Sequence, residues 1–327
     1  MTTRTAGAVT THRSPSREST LLYWAARATL RHVYRAWPLT EAGIRGLAAV
    51  ERGFTRLPLP RGVRVESRAL GGVPVETTTP GAVAGDAAGD VAVLYLPGGA
   101  FVFCGPGTHR RVCGRLAQNL GAPVHSVAYR KLPEVDLGTV VRDAYAAYRA
   151  LSDELPAGHR IVVAGDSAGG FLAAKLCELA ALDGIRRPAA LVGYSPLCDL
   201  DGEVSEGSWF TRDAYQPART VQRAQKLWAR GPDGLRGARS MLDCDPAVFP
   251  PALFTLAAGE LVEPGALALT EQLHSAGRTV DTHRWHAGVH AFPVLDALTP
   301  ESRRAGELTI EFLTRVLGDE PGERAAS

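Results

Sequence analysis

The sequence is poor in everything that would mark a metal-binding, disulfide-built, secreted or membrane-spanning chain. Its five cysteines, Cys104, Cys113, Cys177, Cys198 and Cys244, are odd in number and widely spaced. No C-x-x-C pair occurs, which argues against a zinc knuckle or a disulfide framework and leaves free thiols in a reducing compartment as the expectation. Lysine stands only at positions 131, 175 and 226, so arginine carries nearly all the positive charge. The formal net charge of +2 comes from basic residues interspersed with acids, a pattern that argues against a dedicated nucleic-acid binder. The opening tract MTTRTAGAVTTHRSPSREST lacks the apolar h-region of a secretory signal. The longest uncharged run, Val91 to Thr108, is interrupted by Pro97, Gly98 and Gly99 and makes a poor membrane span. No internal repeat is visible. The expectation is a soluble, cytoplasmic protein with no stable membrane insertion.

What the sequence does have is length and alternation. At 327 residues and 45% hydrophobic content it can bury a sizeable core, as one large α/β domain or two smaller ones. Residues 1–19 are polar and are expected to form a disordered tail, with residues 319–327 a flexible C-terminal tail. Residues 20–56 read as two helices: Leu22, Ala25, Ala26, Leu30 and Val33 recur at helical intervals until Pro38, and LTEAGIRGLAAVERGF follows. VRVESRALGGVPVETTTPG alternates as a hairpin about Gly71 and Gly72. From Val91 onward short apolar strands alternate with helices, which implies a mostly parallel sheet covered on both faces. This core is expected over residues 57–198 and 246–318. The stretch 199–245, which carries Trp209, Phe210, Tyr215 and Trp228, breaks the cadence and reads as a helical insertion.

The tract AGDSAGG, Ala164 to Gly170, lies between the strand RIVVAG and the helix GGFLAAKLCELAAL. G-x-S-x-G in that setting is a nucleophile elbow, in which a sharp turn lifts the hydroxyl of Ser167 off the sheet edge and demands small neighbours. The plainer alternative is a glycine-rich corner. A nucleophilic serine needs a base, and RWHAGVHAF near the last strand offers His286 and His290. His290 is preferred, because it stands in a loop beyond the strand, whereas His283 alternates along the strand as a surface residue would. The acid belongs after ALFTLAAG, where ELVEPG contains no aspartate. Glu260, directly behind the strand, is preferred over Glu263, which precedes Pro264 and suits a helix start. The loop PGGAFVFCGPG after VAVLYL is placed to supply an oxyanion hole from Gly98, Gly99 and Ala100, with Ala168 behind the serine.

Together these motifs resemble the hormone-sensitive-lipase-like family of α/β-hydrolases, bacterial carboxylesterases with a helical cap. LYLPGGAFVF is similar to the family's strand-HGGG-F/W segment, and YRKLPE, Tyr129 to Glu134, to its Y-R-L-A-P-E. GDSAGG is similar to its elbow and RWHAGVHAF to its y-x-G-x-x-H-G-F. ELVEPGALALTEQLHSAG aligns without a gap with D-P-L-R-D-E-G-x-A-Y-A-x-x-L-x-x-A-G, which sets Glu260 on the catalytic acid. The resemblance covers roughly residues 65–315. It implies an α/β-hydrolase fold with a mostly parallel central sheet flanked by helices, capped by residues 20–56 and 199–245. Phe101, Trp209 and Phe210 are then expected at the substrate pocket, with Trp24 and Trp37 as further cap candidates. Two departures stand out: Pro97 replaces the histidine of HGGG and Ala100 its third glycine. Proline has no N–H, but the expected donors lie further along, and Ala100 keeps its N–H provided its φ need not be positive.

The expectation is therefore a serine hydrolase that cleaves a carboxylic ester or lactone through an acyl-enzyme on Ser167, with no metal and no cofactor. Its partner is a small-molecule ester or acyl substrate, and a homodimer is left open. Alternatives are acyl transfer or lactone and macrocycle closure in a biosynthetic pathway, and a non-hydrolytic lyase or cyclase on the same fold.

Overall fold

The structure is a computed structural model that describes residues 2–4, 9–38, 40–54, 60–81, 89–204, 213–231 and 234–318. The expected C-terminal tail, 319–327, lies outside the described residues, as do Trp209 and Phe210. In chain order the elements are β1 (Thr2–Arg4), β2 (Val9–His12), α1 (Arg17–Ala28), α2 (Leu30–Ala36), α3 (Glu41–Phe54), β3 (Val63–Leu70) and β4 (Val73–Pro80). There follow β5 (Val91–Leu96), α4 (Pro106–Leu120), β6 (Val124–Val127), α5 (Leu137–Glu154), β7 (Arg160–Asp166), α6 (Ala168–Leu182) and β8 (Ala190–Tyr194). The chain closes with α7 (Ala218–Trp228), β9 (Ala252–Ala257), α8 (Glu263–Ser275), β10 (Val280–Trp285) and α9 (Pro300–Gly318).

One ten-stranded sheet runs β1-β2-β10-β9-β8-β7-β5-β6-β4-β3. Every pairing from β2 to β6 is parallel, and the ends are antiparallel: β1 on β2, β4 on β6 and β3 on β4. Helices on both faces explain why the central strands are uninterrupted apolar runs, since alternate side chains enter separate cores. In β5, Ala92, Leu94 and Leu96 pack with α5, α6 and α8, whereas Val93 and Tyr95 pack with α4 and α9. The crossover after β5 leads through α4 to β6, and the one after β7 leads through α6 to β8 on the other side. The crevice at the C-terminal ends of β5 and β7 is thus a topological switch point, where open α/β sheets bind ligands.

The N-terminus departs from expectation. Val9–His12 is not a disordered tail but a strand lying parallel to β10, with Thr11 buried. The β-branched residues Val9, Thr10 and Thr11 suit a strand, yet the partner edge is some 270 residues away along the chain, roughly the span a local composition argument cannot see. The single helix expected up to Pro38 is two, α1 and α2, broken at Thr29. The Thr29 N–H and its hydroxyl both bond the Ala25 carbonyl, at 3.0 and 2.7 Å, and such back-bonding bends a helix. The insertion closes at an Asp199–Ser240 bridge, and Met241 and Cys244 pack in the main core, so it ends short of residue 245.

Candidate active site

Ser167 is the junction between β7 and α6, with φ 52° and ψ −121°, a backbone conformation that costs a non-glycine residue on the order of 1–3 kcal/mol. The turn is held from both sides: the Ser167 N–H donates to Tyr194 O at 3.0 Å, and Leu197 N–H donates to Ser167 O at 2.9 Å. The need for a small residue is tightest at Gly169, where a Cβ would lie 1.9 Å from the Leu96 carbonyl oxygen. The elbow therefore presses directly on the end of β5, where the loop with the expected oxyanion donors begins.

His290 and Glu260 meet. His290 Nδ1 stands 2.7 Å from Glu260 Oε2, with both side chains almost completely buried. Glu260 Oε1 accepts the Ala257 N–H at 2.9 Å, which fixes the carboxylate against the end of β9. The His290 loop is tied to the sheet by Ala291 N–H donating to Ser195 Oγ at 2.9 Å. A carboxylate facing Nδ1 selects the tautomer with its proton on Nδ1, leaving Nε2 as the base. That Nε2 is buried and has no hydrogen-bond partner among the described residues, Ser167 included. Burial pushes the imidazole pKa down, but the hydrogen bond and charge of Glu260, with Asp213 and Asp166 beyond, outweigh it and raise it. Burial likewise raises the Glu260 carboxyl, against the opposing pull of His290.

The competing candidates are occupied elsewhere. Glu263 accepts the Gly259 N–H at 2.6 Å and pairs with Arg284. His283 Nδ1 lies 3.2 Å from His12 Nε2 on β2, and His286 lies beside Arg284.

The loop after β5 corrects three expectations. Gly98 is not a free oxyanion donor, because its N–H is given to Asp166 Oδ1 at 3.0 Å. A Cβ there would also stand 2.2 Å from Asp166 Oδ2. Ala100 does adopt a positive φ, 55°, between Gly99 at 105° and Phe101 at 62°. Its N–H and those of Gly99 and Ala168 donate to no protein acceptor among the described residues. Phe101 does not face a substrate: its backbone turns the ring into the core, fully buried, edge-on to Phe171 and Trp228. Trp228 Nε1 donates to Ala100 O at 3.1 Å, so the cap helix α7 clamps this loop. Pro97 contributes only a carbonyl, which accepts the Tyr129 hydroxyl.

Several residues of the site escaped the sequence reading. Asp166 Oδ1 gathers the Tyr95 hydroxyl, the Gly98 N–H and His109 Nε2, each at 3.0 Å. His109 projects from the first turn of α4, immediately after the oxyanion loop, and that adjacency was the available signal. Asp213 is buried and accepts N–H groups of Tyr215, Gln216 and Leu261, at 3.0, 2.7 and 3.3 Å, tying the cap to the loop that carries Glu260. Burial outweighs these bonds and raises its pKa. The Tyr215 hydroxyl donates to His290 O at 3.2 Å. The Tyr34 ring, from α2, lies 5.3 Å from Tyr215 and 6.3 Å from Phe103, bridging the histidine arm and the oxyanion loop. Of the cap tryptophans, Trp24 is 60% exposed on the outside, and Trp37 Nε1 donates to Gly43 O within the N-terminal helices.

This arrangement has relatives. Residues 93–294 match a family model described as the alpha/beta hydrolase fold. Over 73% of its length the chain is 34% identical to the carboxylesterase/phospholipase LipF of Mycobacterium tuberculosis, and the match spans 66% of that protein, just under two thirds. It is 31% identical to an acetyl-hydrolase of Streptomyces hygroscopicus, over 69% of this chain and 76% of that one. A solved hormone-sensitive lipase from a metagenome library is similar with a TM-score of 0.76 and 27% identity, covering 89% of this chain and 98% of that one. An esterase from the bacterial hormone-sensitive lipase family gives a TM-score of 0.78 at 27% identity, covering 92% and 99%. The chain belongs to the α/β-hydrolase-fold family, in its hormone-sensitive-lipase-like branch.

Proposed function

We propose that this protein hydrolyses carboxylic esters of small molecules through an acyl-enzyme on Ser167. The observation that carries the reading is the buried His290–Glu260 pair at 2.7 Å, which leaves Nε2 without a partner among the described residues. A base so placed has one open nitrogen and one fixed orientation, which is what a serine nucleophile requires. The names of the relatives, carboxylesterase and acetyl-hydrolase, support the same substrate class.

In the first step Ser167 Oγ attacks the ester carbonyl as its proton passes to His290 Nε2. Glu260 stabilises the imidazolium through Nδ1 without itself taking the proton. The N–H groups of Gly99, Ala100 and Ala168 receive the oxyanion. Collapse of the tetrahedral intermediate breaks the ester C–O bond, and His290 returns the proton to the departing alcohol. Water then attacks the acyl carbonyl as it gives a proton to Nε2, and collapse of this second tetrahedral intermediate breaks the bond to Ser167 Oγ, which takes the proton back from His290 as the acid leaves.

The test is intact-mass analysis after treatment with a fluorophosphonate. Wild type is expected to gain one phosphonyl group and Ser167→Ala none. Unchanged ester turnover by Ser167→Ala would overturn the covalent route.

A further inference from the structure

Four of the six large apolar side chains exposed among the described residues crowd into thirteen positions of the N-terminal cap: Leu21 at 70%, Trp24 at 60%, Leu30 at 44% and Val33 at 47%. Leu21, Trp24, Ala25 and Ala28 follow i, i+3, i+4, i+7 spacing and form one exposed face of α1. The opposite face, through Ser19, Tyr23 and Ala26, is buried, with Tyr23 and Ala26 packed against Trp285, Phe292 and Ala305. Ser16 caps α1 and bonds Glu301 with both its N–H and its hydroxyl, so the helix is anchored to α9. The outer face is thus a fixed apolar surface on a docked helix, and a patch of this kind marks an interaction site.

Charge identifies the occupant. Residues 17–36 hold four arginines, Arg17, Arg27, Arg31 and Arg35, against the single acid Glu18. Helix α7, which meets α2 through Thr220 Oγ1 donating to Tyr34 O at 3.1 Å, exposes Arg219, Arg223 and Lys226, with Arg230 just beyond its end. Residues 218–230 contain no acid. The two segments carry +3 and +4 in a chain whose net charge is +2, so the remainder is −5 and the cation excess is concentrated on α1, α2 and α7. A second copy of this chain docking about a two-fold axis would set these arginines against themselves. Arg27 and Arg31 are half-buried and donate to Asp213 O, at 3.5 and 3.2 Å, whereas Arg17 and Arg35 are exposed. Indole and leucine side chains beside exposed arginines suit an anionic lipid surface, where the apolar groups enter the headgroup boundary and the cations meet phosphate.

We infer that the outer face of α1 and α2 docks the protein peripherally on anionic phospholipid bilayers. On the inner side of α2, Tyr34 reaches Tyr215 and Phe103 at the candidate active site. Docking therefore brings the site within about one helix diameter, ~10 Å, of the bilayer. Among the described residues no helix is long and apolar enough to cross a membrane, so the contact is interfacial.

The test is sedimentation of the full chain with vesicles of phosphatidylcholine alone or with 30 mol% phosphatidylglycerol. Wild type is expected to partition at least ~10-fold more onto the anionic vesicles and to lose that preference in high salt. Leu21→Ser with Trp24→Ser is expected to lower binding ~10-fold or more, and Arg17→Gln with Arg35→Gln to remove the preference for anionic lipid. Hydrolysis of a soluble short-chain ester stays unchanged in both double variants, which reports that they are folded. Ser167→Ala binds vesicles like wild type, so docking is read independently of catalysis. Equal binding by wild type and both double variants, or no binding to anionic vesicles, would overturn the inference. So would a dimer in sedimentation velocity that the Leu21/Trp24 variant dissociates, because a second copy would then occupy the patch.

Discussion

His109 Nε2 lies 3.0 Å from Asp166 Oδ1, and the same oxygen holds the N–H of Gly98, so one buried carboxylate links α4, the oxyanion loop and the residue before Ser167. Burial raises the Asp166 carboxyl, but the charge and hydrogen bond of His109, with Tyr95 and Gly98, outweigh it and lower the pKa. For His109, burial pushes down and Asp166 pushes up more strongly, with Gly105 O accepting at Nδ1. Removing the acceptor with Asp166→Ala strands three buried donors and is expected to destabilise the protein by roughly 3–5 kcal/mol, read from urea unfolding.

The pH dependence of that pair has a definite sign. A lowered aspartate contributes stability above its unfolded pKa, about 3.9, and loses it as pH falls. A raised histidine contributes fully below its unfolded pKa, about 6.5, and loses it as pH climbs through the folded value. The Tm deficit of His109→Asn relative to wild type should therefore be largest near pH 5–6 and shrink on both sides. A deficit that grows steadily from pH 6 to 9 would contradict the ion pair.

Glu260→Gln keeps the shape of the acid and removes its charge. The imidazolium then loses its stabilising partner and the tautomer is no longer enforced, so kcat should fall roughly 10³- to 10⁴-fold with little change in Tm. Glu260→Asp retracts the carboxylate by one methylene, about 1.5 Å, and should cost roughly 10- to 100-fold. Steady-state kinetics on a short-chain ester separates these values, and an unaffected Glu260→Gln would remove this residue from the mechanism.

His290 must be neutral to act as a base, and the hydrogen bond and charge of Glu260 hold its pKa above that of an ordinary histidine. The acid limb of kcat/KM is therefore expected to have its midpoint above 6.5, with activity lost as pH falls through it. In Glu260→Gln the residual activity should show that midpoint shifted to lower pH, because the group that favours the imidazolium is gone. A wild-type midpoint below the ordinary histidine value would contradict the arrangement.

The legible parts of the site are those encoded locally or in chain order. The Ser167 elbow is a contiguous strand-turn-helix signal, and Glu260 and His290 stand in the loops that follow β9 and β10. What was illegible depends on remote contacts. β2 becomes a strand through the edge of β10, and Asp213 approaches the site through the amide of Leu261. Gly98 and Phe101 looked like free members of a glycine loop, but Asp166 claims the N–H of one and the Phe171–Trp228 core claims the ring of the other. Motif spacing locates such a loop without revealing which of its amides are already bonded.

Ala100 tests whether that loop is strained where its family pattern has glycine. With φ at 55°, the alanine occupies a left-handed region that costs a residue with a Cβ roughly 1–2 kcal/mol. Glycine there removes the strain but adds unfolded-chain entropy worth about 0.4–1 kcal/mol. Ala100→Gly should therefore be neutral or stabilising by up to about 1.5 kcal/mol, with kcat/KM held because the amide stays in place. Ala173→Gly, inside the buried helix α6, provides the contrast: it gains no relief and should lose about 1 kcal/mol or more. Urea unfolding of the two variants reads the difference. If Ala100→Gly were as destabilising as Ala173→Gly, the left-handed turn would not be the conformation the working loop adopts.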